Sequence, residues 1–397
     1  MRLADRLDQM EESATLKMAQ LGRDRKAEGK EVISLSLGEP DFDTPDFIKD
    51  AATNALWKGH TKYTAVPGIP ELRKAVAEKF QNENSLNYNE KNIVVSNGAK
   101  QCIANVCLSL LNPGDEVVLF APYWVSYFEI VRLAGAVPIA LKAGVDQDYK
   151  VTAEQLSEAL TDKTRLIIFS SPCNPTGSVF SEAELRDISK VILGKEDLMV
   201  LSDEIYEYIN FGKTHFSIGS VEGMLDRTIT VNGFSKGFAM TGWRLGYMGA
   251  PQWLAAGCDK MQGQFTSGAN SFSQYAAVTA LKGSREEVNR MKEVFRERKQ
   301  LVVQGLSRLE GLKVNDPAGA FYVFPDASSL VGKKLKGKPL ASVDDFCMHL
   351  MEAKGVAVVP GSAFGAPECF RVSYAASEGD LNKALLLIEE LISELDA

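Results

Sequence analysis

Short apolar runs alternate with longer amphipathic segments between about residue 90 and residue 250. This alternation is typical of a parallel sheet built from βαβ units. Helices are predicted over Lys100–Leu111 and Ser181–Leu193, because Asn112-Pro113-Gly114 and Gly194 end these two periodic segments. The apolar runs predict strands over Asn92–Ser96, Glu116–Phe120, Arg165–Ser170, Leu198–Ser202, Thr228–Asn232 and Leu245–Ala250.

The two ends of the chain have a different pattern. Residues 12–28 predict an amphipathic helix, and Arg285–Leu309 predicts a long, highly charged helix. A last helix is predicted from the cap-like Ser377-x-x-Asp380 onward. Short strands are predicted between these two helices, at Lys313–Val314, Ala320–Phe324, Val356–Val359 and Phe370–Tyr374.

The length of 397 residues is too great for one compact core and suits two or three packed parts. We predict that residues 1–41 form an N-terminal arm and part of a small domain. Residues 42–285 are predicted to form a large α/β domain, and residues 286–397 to complete the small α+β domain.

Composition limits the classes of partner. A hydrophobic content of 45% and a charged content of 24% are those of an ordinary soluble globular protein. The net charge of −8 argues against nucleic acid or an anionic membrane as a main partner. No apolar stretch is long enough to span a bilayer, and the charged N-terminus has no apolar core of a secretory signal. We therefore expect a cytoplasmic protein.

Cysteine and histidine spacing gives no sign of a metal site. The six cysteines are scattered without a C-x-x-C pair, so we expect reduced thiols in the core. The three histidines are far apart and form no H-E-x-x-H pattern, which argues against zinc.

Polar residues follow most of the predicted strands, at the edge where open parallel sheets bind ligands. Each one alone has an ordinary structural explanation: Trp124 as a core residue, Asn174 as a turn former, Asp203 as a helix cap. Together they supply an anion-binding turn, an aromatic plate, an amide, a carboxylate and a lysine. The segments are Ser96–Lys100, Ala121–Trp124, Ser171–Gly177, Asp203–Tyr206 and Ser235–Lys236.

The segment that contains Ser235, Lys236 and Arg244 holds two cations among core-like residues, with no acid to pair with them. Unpaired buried charge is costly, so we expect an anionic ligand. A phosphorylated aromatic ring with a carbonyl group would use all of these residues. Pyridoxal 5′-phosphate fits, with a lysine for its carbonyl and an acid for its ring nitrogen.

Nine segments, in order along nearly the whole chain, resemble the class I/II aminotransferases of pyridoxal-phosphate-dependent fold type I, and within them the bacterial aspartate aminotransferase group. The resemblance implies a mostly parallel central sheet in a large domain and a smaller α+β domain made from both chain ends. The segments are L-x-x-G-E-P-D-F-D-T-P (Leu35–Pro45), Y-T-A-V-P-G-I-P-E-L-R (Tyr63–Arg73), N-G-A-K-Q (Asn97–Gln101), A-P-Y-W-V-S-Y (Ala121–Tyr127), N-P-T-G (Asn174–Gly177), S-D-E-I-Y-E (Ser202–Glu207), F-S-K-x-F-A-M-T-G-W-R-x-G-Y (Phe234–Tyr247), G-A-F-Y (Gly319–Tyr322) and F-R-V-S-Y-A (Phe370–Ala375).

The resemblance also implies roles at the cofactor. Lys236 matches the lysine that carries the cofactor as an imine and later moves the proton. Asp203 matches the acid that keeps the ring nitrogen protonated. Tyr206 and Asn174 match the groups that hydrogen-bond the phenolic oxygen, and Trp124 matches the stacking aromatic ring.

For the phosphate, the resemblance implies a cup that is shared between two subunits. The partner subunit's Tyr63 completes it, which implies a homodimer with shared sites. The matching residues of the same subunit are Gly98, Ala99, Ser235 and Arg244.

For substrates, the resemblance implies amino acids and 2-oxo acids. The alternation of side chains along a short apolar strand places Arg371 on one face of it. This arginine is either an edge residue that reaches solvent or, as the resemblance implies, a bidentate clamp on the substrate α-carboxylate. Gly38, Trp124 and Asn174 match further substrate contacts. Lys100 matches a lysine that meets the distal carboxylate. We therefore expect aspartate or glutamate as amino donor and 2-oxoglutarate or oxaloacetate as acceptor.

Other functions remain open at this stage. An aromatic or prephenate aminotransferase, or a lyase on the same fold, would share Lys236, Asp203 and Arg371. Glu11-Glu12 stands where several prephenate-active relatives carry a lysine, which argues against that activity. A DNA-binding regulator is disfavoured because the match begins within the first 15 residues, and a nucleotide-dependent oxidoreductase because no G-x-G-x-x-G or P-loop pattern occurs.

Overall fold

The computed structural model describes residues 2–8, 10, 14–212 and 214–396. Its α-helices are α1 (Asp5–Asp8), α2 (Ala14–Ala27), α3 (Asp46–Trp57), α4 (Pro70–Asn84), α5 (Ala99–Leu110), α6 (Ser126–Leu133), α7 (Ala153–Ala159), α8 (Glu182–Leu193), α9 (Gln252–Phe265), α10 (Ser271–Lys282), α11 (Glu286–Ser307), α12 (Val343–Lys354) and α13 (Glu378–Ser393). Its strands are β1 (Ile33–Ser34), β2 (Ile93–Ser96), β3 (Glu116–Ala121), β4 (Val137–Lys142), β5 (Thr164–Ser170), β6 (Met199–Asp203), β7 (Thr228–Gly233), β8 (Gly246–Gly249), β9 (Tyr322–Val323), β10 (Lys334–Leu335), β11 (Lys338–Pro339), β12 (Val356–Ala357), β13 (Val359–Pro360), β14 (Phe370–Ser373) and β15 (Leu395–Asp396).

Seven strands form the central sheet in the order β2-β8-β7-β6-β5-β3-β4. Strands β3 to β7 run parallel to one another, and β8 runs antiparallel to both of its neighbours, β2 and β7. The predicted mostly parallel α/β sheet is therefore confirmed, and each of its six predicted strands is present. Strand β4 was not predicted; it is a partly exposed edge strand that contains Pro138.

Helices cover both faces of this sheet, because successive side chains of a strand point to opposite faces. In β3, Val117 and Leu119 pack in one hydrophobic cluster with residues of α5 and α9. Val118 and Phe120 pack in a second cluster with residues of α8. Helix α8 begins after Ser181, which caps it together with Glu184.

Residues from both chain ends form the smaller α+β part. Strand β1 pairs in parallel with β12, and β14 lies between β13 and β9 in an antiparallel sheet. Helix α2 joins this part through Met18, which packs with Val32, Met351 and Ala357. The proposed domain boundaries at residues 41 and 285 stay a prediction.

Some of the short predicted strands are wrong in detail. Lys313 forms an isolated bridge with Asp326 rather than a strand. The predicted strand Val356–Val359 is divided into β12 and β13. All six cysteines are buried and free of disulfides. In the described ranges, no helix has the length and apolar character needed to cross a membrane.

Candidate active site

A cavity of about 310 Å³ opens at the carboxyl edge of the central sheet, where it also meets β9 and β14 of the smaller part. It brings together eleven of the thirteen residues that the sequence singled out. These are Gly38, Ala99, Lys100, Trp124, Asn174, Asp203, Tyr206, Ser235, Lys236, Arg244 and Arg371.

Lys236 follows β7 and is half-buried at the cavity. Its Nζ donates a hydrogen bond to the carbonyl oxygen of Gly38. Burial, followed by the positive charge of Arg371, lowers the pKa of Lys236 from 10.5 to about 8. A substantial fraction of this amine is therefore neutral near physiological pH, which is the form that attacks a carbonyl carbon.

Asp203 is the last residue of β6, and its carboxylate is held from two sides. The hydroxyl of Tyr127 donates to Oδ2 over 2.6 Å, and the backbone N–H of Ile205 donates to Oδ1 over 3.2 Å. Burial raises the pKa of Asp203 from 3.8 to about 6 in spite of these bonds. A buried carboxylate of this kind favours a cationic group opposite it in the cavity.

Arg371 lies on β14 and is only 1% exposed, so the edge-arginine alternative is wrong. Its Nη1 donates to Oδ1 of Asn174 over 2.9 Å, and its Nη2 donates to the carbonyl oxygen of Ser36 over 2.6 Å. Its Nε has no hydrogen-bond partner among the described residues. A buried guanidinium held by neutral oxygens, with an N–H group to spare, is suited to bind a carboxylate.

The start of α5 forms one wall of the cavity. Gly98 is the cap residue, with φ of 82°, and a Cβ there would lie 2.7 Å from Nη2 of Arg244. Arg244 itself has φ of 53° and donates to the carbonyl oxygen of Thr241 over 2.9 Å. The N–H groups of the helix start, with Ser235 and Arg244 beside them, are suited to bind an anion.

The expectation that both cations of this segment are buried needs a correction. Arg244 is exposed, and Lys236 is half-buried. Neither forms an ion pair within the described part of the chain. Exposure to solvent, rather than a core position, explains how Arg244 remains without an acid.

Two predicted residues lie outside the cavity. Gly98 is immediately behind its wall, next to Ala99. Tyr63 is 99% exposed and borders a separate surface depression with Thr61, Gly268 and Ser271. A single chain therefore does not bring Tyr63 to its own cavity.

Two phenols at the cavity were missed by the sequence analysis. Tyr127 contacts Asp203, and Tyr322 has its hydroxyl oxygen 2.7 Å from that of Tyr206. Both occur in the segments quoted above, where a buried aromatic residue is normally part of the core. Only the position of each hydroxyl group separates these two from the other buried tyrosines.

The cavity brings together an amine of lowered pKa and a buried arginine, an arrangement suited to an enzyme that acts on a small carboxylate-bearing molecule. Residues 30–387 match the family described as aminotransferase class I and II, and the chain belongs to this family.

Similar proteins cover almost the full length. A probable aspartate/prephenate aminotransferase of Rhizobium leguminosarum bv. phaseoli is 46% identical over 390 residues, which is 98% of each chain. An aspartate aminotransferase of Rhizobium meliloti is 44% identical over 387 residues, 97% of this chain and 94% of the relative.

The solved structures to which the chain is similar are also aspartate aminotransferases. The crystal structure of aspartate aminotransferase from Rhizobium meliloti superposes with a TM-score of 0.97 at 42% identity and covers 100% of both chains. Aspartate aminotransferase from Thermus thermophilus with maleate gives a TM-score of 0.92 at 39% identity, over 98% of this chain and 100% of that chain. The predicted fold type and family are confirmed.

Proposed function

We propose that the protein is a pyridoxal-5′-phosphate-dependent aminotransferase that moves the amino group of aspartate or glutamate to 2-oxoglutarate or oxaloacetate. The observation that carries this proposal is the placement of two functional groups at one cavity: the Lys236 amine with its lowered pKa, and the buried Arg371 without a carboxylate partner. Relatives with the activity in their names support it.

The residues at the cavity fit this cofactor. Asp203 is a buried carboxylate for a protonated ring nitrogen, and Trp124 is an aromatic wall. The turn at Gly98, which leaves no room for a Cβ beside Arg244, suits a phosphate group. When bound, the cofactor supplies the carbonyl group that takes up the amino group and an electron sink for the substrate carbanion.

The chain's own residues would bind and orient the substrate and would move its proton. Arg371 holds the α-carboxylate and so fixes which bonds of the α-carbon point at Lys236. The amine of Lys236, whose pKa is lowered to about 8, would take a proton from that carbon and return it to a different carbon atom. Because Arg371 belongs to the smaller part and Lys236 to the larger, a substrate that binds both excludes water between them.

A homodimer belongs to the proposal. Tyr63 is 99% exposed, and Arg244, which lies beside the turn at Gly98, is exposed as well. The partner subunit's Tyr63 is proposed to reach this turn. Light scattering of the purified protein tests the assembly, and a monomer that retains full activity would rule out a shared site. We also propose a cytoplasmic location, in line with the reduced cysteines.

An amino-donor panel with 2-oxoglutarate as acceptor tests the activity. Aspartate is expected to give the highest kcat/KM, and phenylalanine a low value. Prephenate belongs in the panel as an acceptor, because some relatives carry it in their names. Glu11-Glu12, on which the expectation about prephenate rests, lies outside the described residues.

Borohydride reduction of the cofactor-loaded protein, followed by peptide mapping, tests the attachment site. The label is expected on Lys236, and a label on another lysine would overturn the site assignment. Release of pyruvate or ammonia without transfer to 2-oxoglutarate would instead identify a lyase.

A further inference from the structure

Two phenols from distant parts of the chain meet at the cavity. Tyr206 follows β6 of the central sheet, whereas Tyr322 belongs to β9 of the smaller part. Their hydroxyl oxygens are 2.7 Å apart, and both side chains are buried. The pair is therefore a direct polar link between the two parts of the structure.

Tyr322 also supports Arg371. In the antiparallel pair of β9 and β14, Tyr322 is opposite Ser373, so Arg371 is its diagonal neighbour on the same face. The guanidinium carbon of Arg371 lies 4.5 Å from the centre of the Tyr322 ring. A guanidinium at this distance from an aromatic ring is attracted by it, and more so where water is excluded.

The hydroxyl of Tyr322 has one hydrogen-bond partner among the described residues. Its hydrogen-bond partner there is Tyr206, and the backbone of Gly38 packs so closely that a Cβ on Gly38 would lie 2.7 Å from it. Only one of two facing hydroxyl groups can donate to the other. If Tyr322 donates, the proton of Tyr206 is free to point into the cavity.

We infer that Tyr322 is a positioning residue: its hydroxyl donates a hydrogen bond to the hydroxyl of Tyr206, and its ring holds the guanidinium group of Arg371 in place. By donating, it leaves the Tyr206 proton free to point into the cavity, where the phenolic oxygen of a bound cofactor would accept it, and makes Tyr206 a stronger donor. One side chain thus couples the cofactor contact to the clamp on the substrate α-carboxylate. The inference rests on the proposed function.

The test separates the hydroxyl group from the ring. Tyr322→Phe removes the bond to Tyr206 and keeps a ring beside Arg371, whereas Tyr322→Leu removes both. Tyr374→Phe is the matched control: Tyr374 is equally buried, donates to the carbonyl oxygen of Ala320 over 3.1 Å and does not line the cavity.

Two equilibrium measurements are made on each cofactor-loaded variant. One is the pH titration of the visible absorbance, which reports the hydrogen bond from Tyr206. The other is the Kd of maleate, an unreactive dicarboxylate, which reports the clamp. Tyr322→Phe is expected to move the absorbance midpoint upward by about 0.3 to 1 pH unit, because one hydrogen bond changes an equilibrium roughly two- to tenfold. Its Kd for maleate is expected to stay within about twofold.

Tyr322→Leu is expected to move the midpoint similarly and to weaken maleate binding about three- to thirtyfold, as for loss of a desolvated cation–π contact. Tyr374→Phe is expected to change neither quantity. An unmoved midpoint in Tyr322→Phe, or an equal shift in Tyr374→Phe, would overturn the inference alone. A wild-type protein that takes up no cofactor would overturn the proposed function and the inference with it.

Discussion

The hydroxyl of Tyr127 donates to Oδ2 of Asp203 over 2.6 Å, across a separation of 76 residues in the chain. Because Asp203 is buried, this bond offsets part of the cost of keeping its carboxylate charged. Tyr127 thus favours the charge state that a protonated ring nitrogen requires.

Removal of this hydroxyl group, in Tyr127→Phe, is expected to raise the pKa of Asp203 further above about 6. A hydrogen bond to a charged group contributes roughly 1.5–3 kcal/mol, so cofactor affinity near pH 7 is expected to fall about ten- to a hundredfold. Equilibrium dialysis measures the Kd. The loss should be larger at pH 6 than at pH 8. At pH 6 the raised pKa leaves more of Asp203 protonated in the variant than in the wild type, whereas at pH 8 the two proteins differ less.

Tyr247→Phe is the control for this experiment, since the Tyr247 hydroxyl is buried and has no hydrogen-bond partner among the described residues. Equal losses in the two variants would mean that Tyr127 acts through packing and not through Asp203.

The lowered pKa of Lys236 predicts how cofactor attachment depends on pH. The neutral amine is the reactive form, so the rate of attachment to the cofactor-free protein is expected to rise about tenfold per pH unit below a pH of about 8 and then level off. Arg371→Leu removes the second cause of the lowering and should move the midpoint to higher pH. Stopped-flow absorbance measures both rates, and a wild-type midpoint near the ordinary value of 10.5 would contradict the prediction.

A buried ion pair behind Asp203 predicts a pH-dependent stability. His215 Nε2 lies 2.8 Å from Oε2 of Glu204. Burial alone would lower the pKa of His215, but the Glu204 carboxylate outweighs it and raises the pKa above 6.5. The pKa of Glu204 is lowered from 4.5, because His215 and the hydrogen bond from Ser217 outweigh burial.

The contribution of His215 is complete below about pH 6.5 and is lost as pH rises through its folded pKa. That of Glu204 is present above about pH 4.5 and is lost as pH falls through its folded pKa. His215→Gln should therefore lower the melting temperature of the cofactor-free protein more at pH 5.5 than at pH 8.5. His349→Gln is the control, because His349 forms no ion pair in the part of the chain that the structure describes. An effect of His215→Gln that is the same at both pH values would contradict the assignment.

The sequence predicts those elements whose burial follows from their own residues. The six predicted strands of the central sheet are almost entirely buried, whereas β4 is an edge strand that contains Pro138 and has no fully buried position. Ser181 and Ser377 mark two helix starts because capping is a local interaction. Boundaries between β12 and β13 depend on tertiary pairing and could not be predicted.

The candidate site likewise contains some residues whose position could be predicted from the sequence and others whose position could not. Lys236 and Asp203 follow strands that the pattern already identifies, so their meeting at one edge of the sheet could be predicted. The contact of Arg371 with Asn174 joins residues 197 positions apart, and no local pattern encodes it. The burial of Arg371 and the hydroxyl positions of Tyr127 and Tyr322 likewise depend on packing between distant elements.

Lys100 carries the prediction about substrate choice. It lies in the first turn of α5, where a cation is unfavourable, and its Nζ is 4.9 Å from the centre of the Trp124 ring at the cavity. It forms no ion pair with any residue that the structure describes. A distal carboxylate of a bound substrate would offset this charge. Lys100→Ala is therefore expected to reduce kcat/KM for aspartate about ten- to a hundredfold, the effect of one charge-assisted hydrogen bond, and to leave the value for phenylalanine almost unchanged.

Lys100→Met serves as the companion variant, because it keeps an unbranched apolar side chain beside Trp124 and removes only the ammonium group. Both variants should lose activity toward aspartate by the same factor if the charge recognises the distal carboxylate. If Lys100→Met retained activity and Lys100→Ala did not, the side chain would act by packing on Trp124. An equal loss toward aspartate and phenylalanine in both variants would assign Lys100 to the cofactor, because the phosphate is present with either donor.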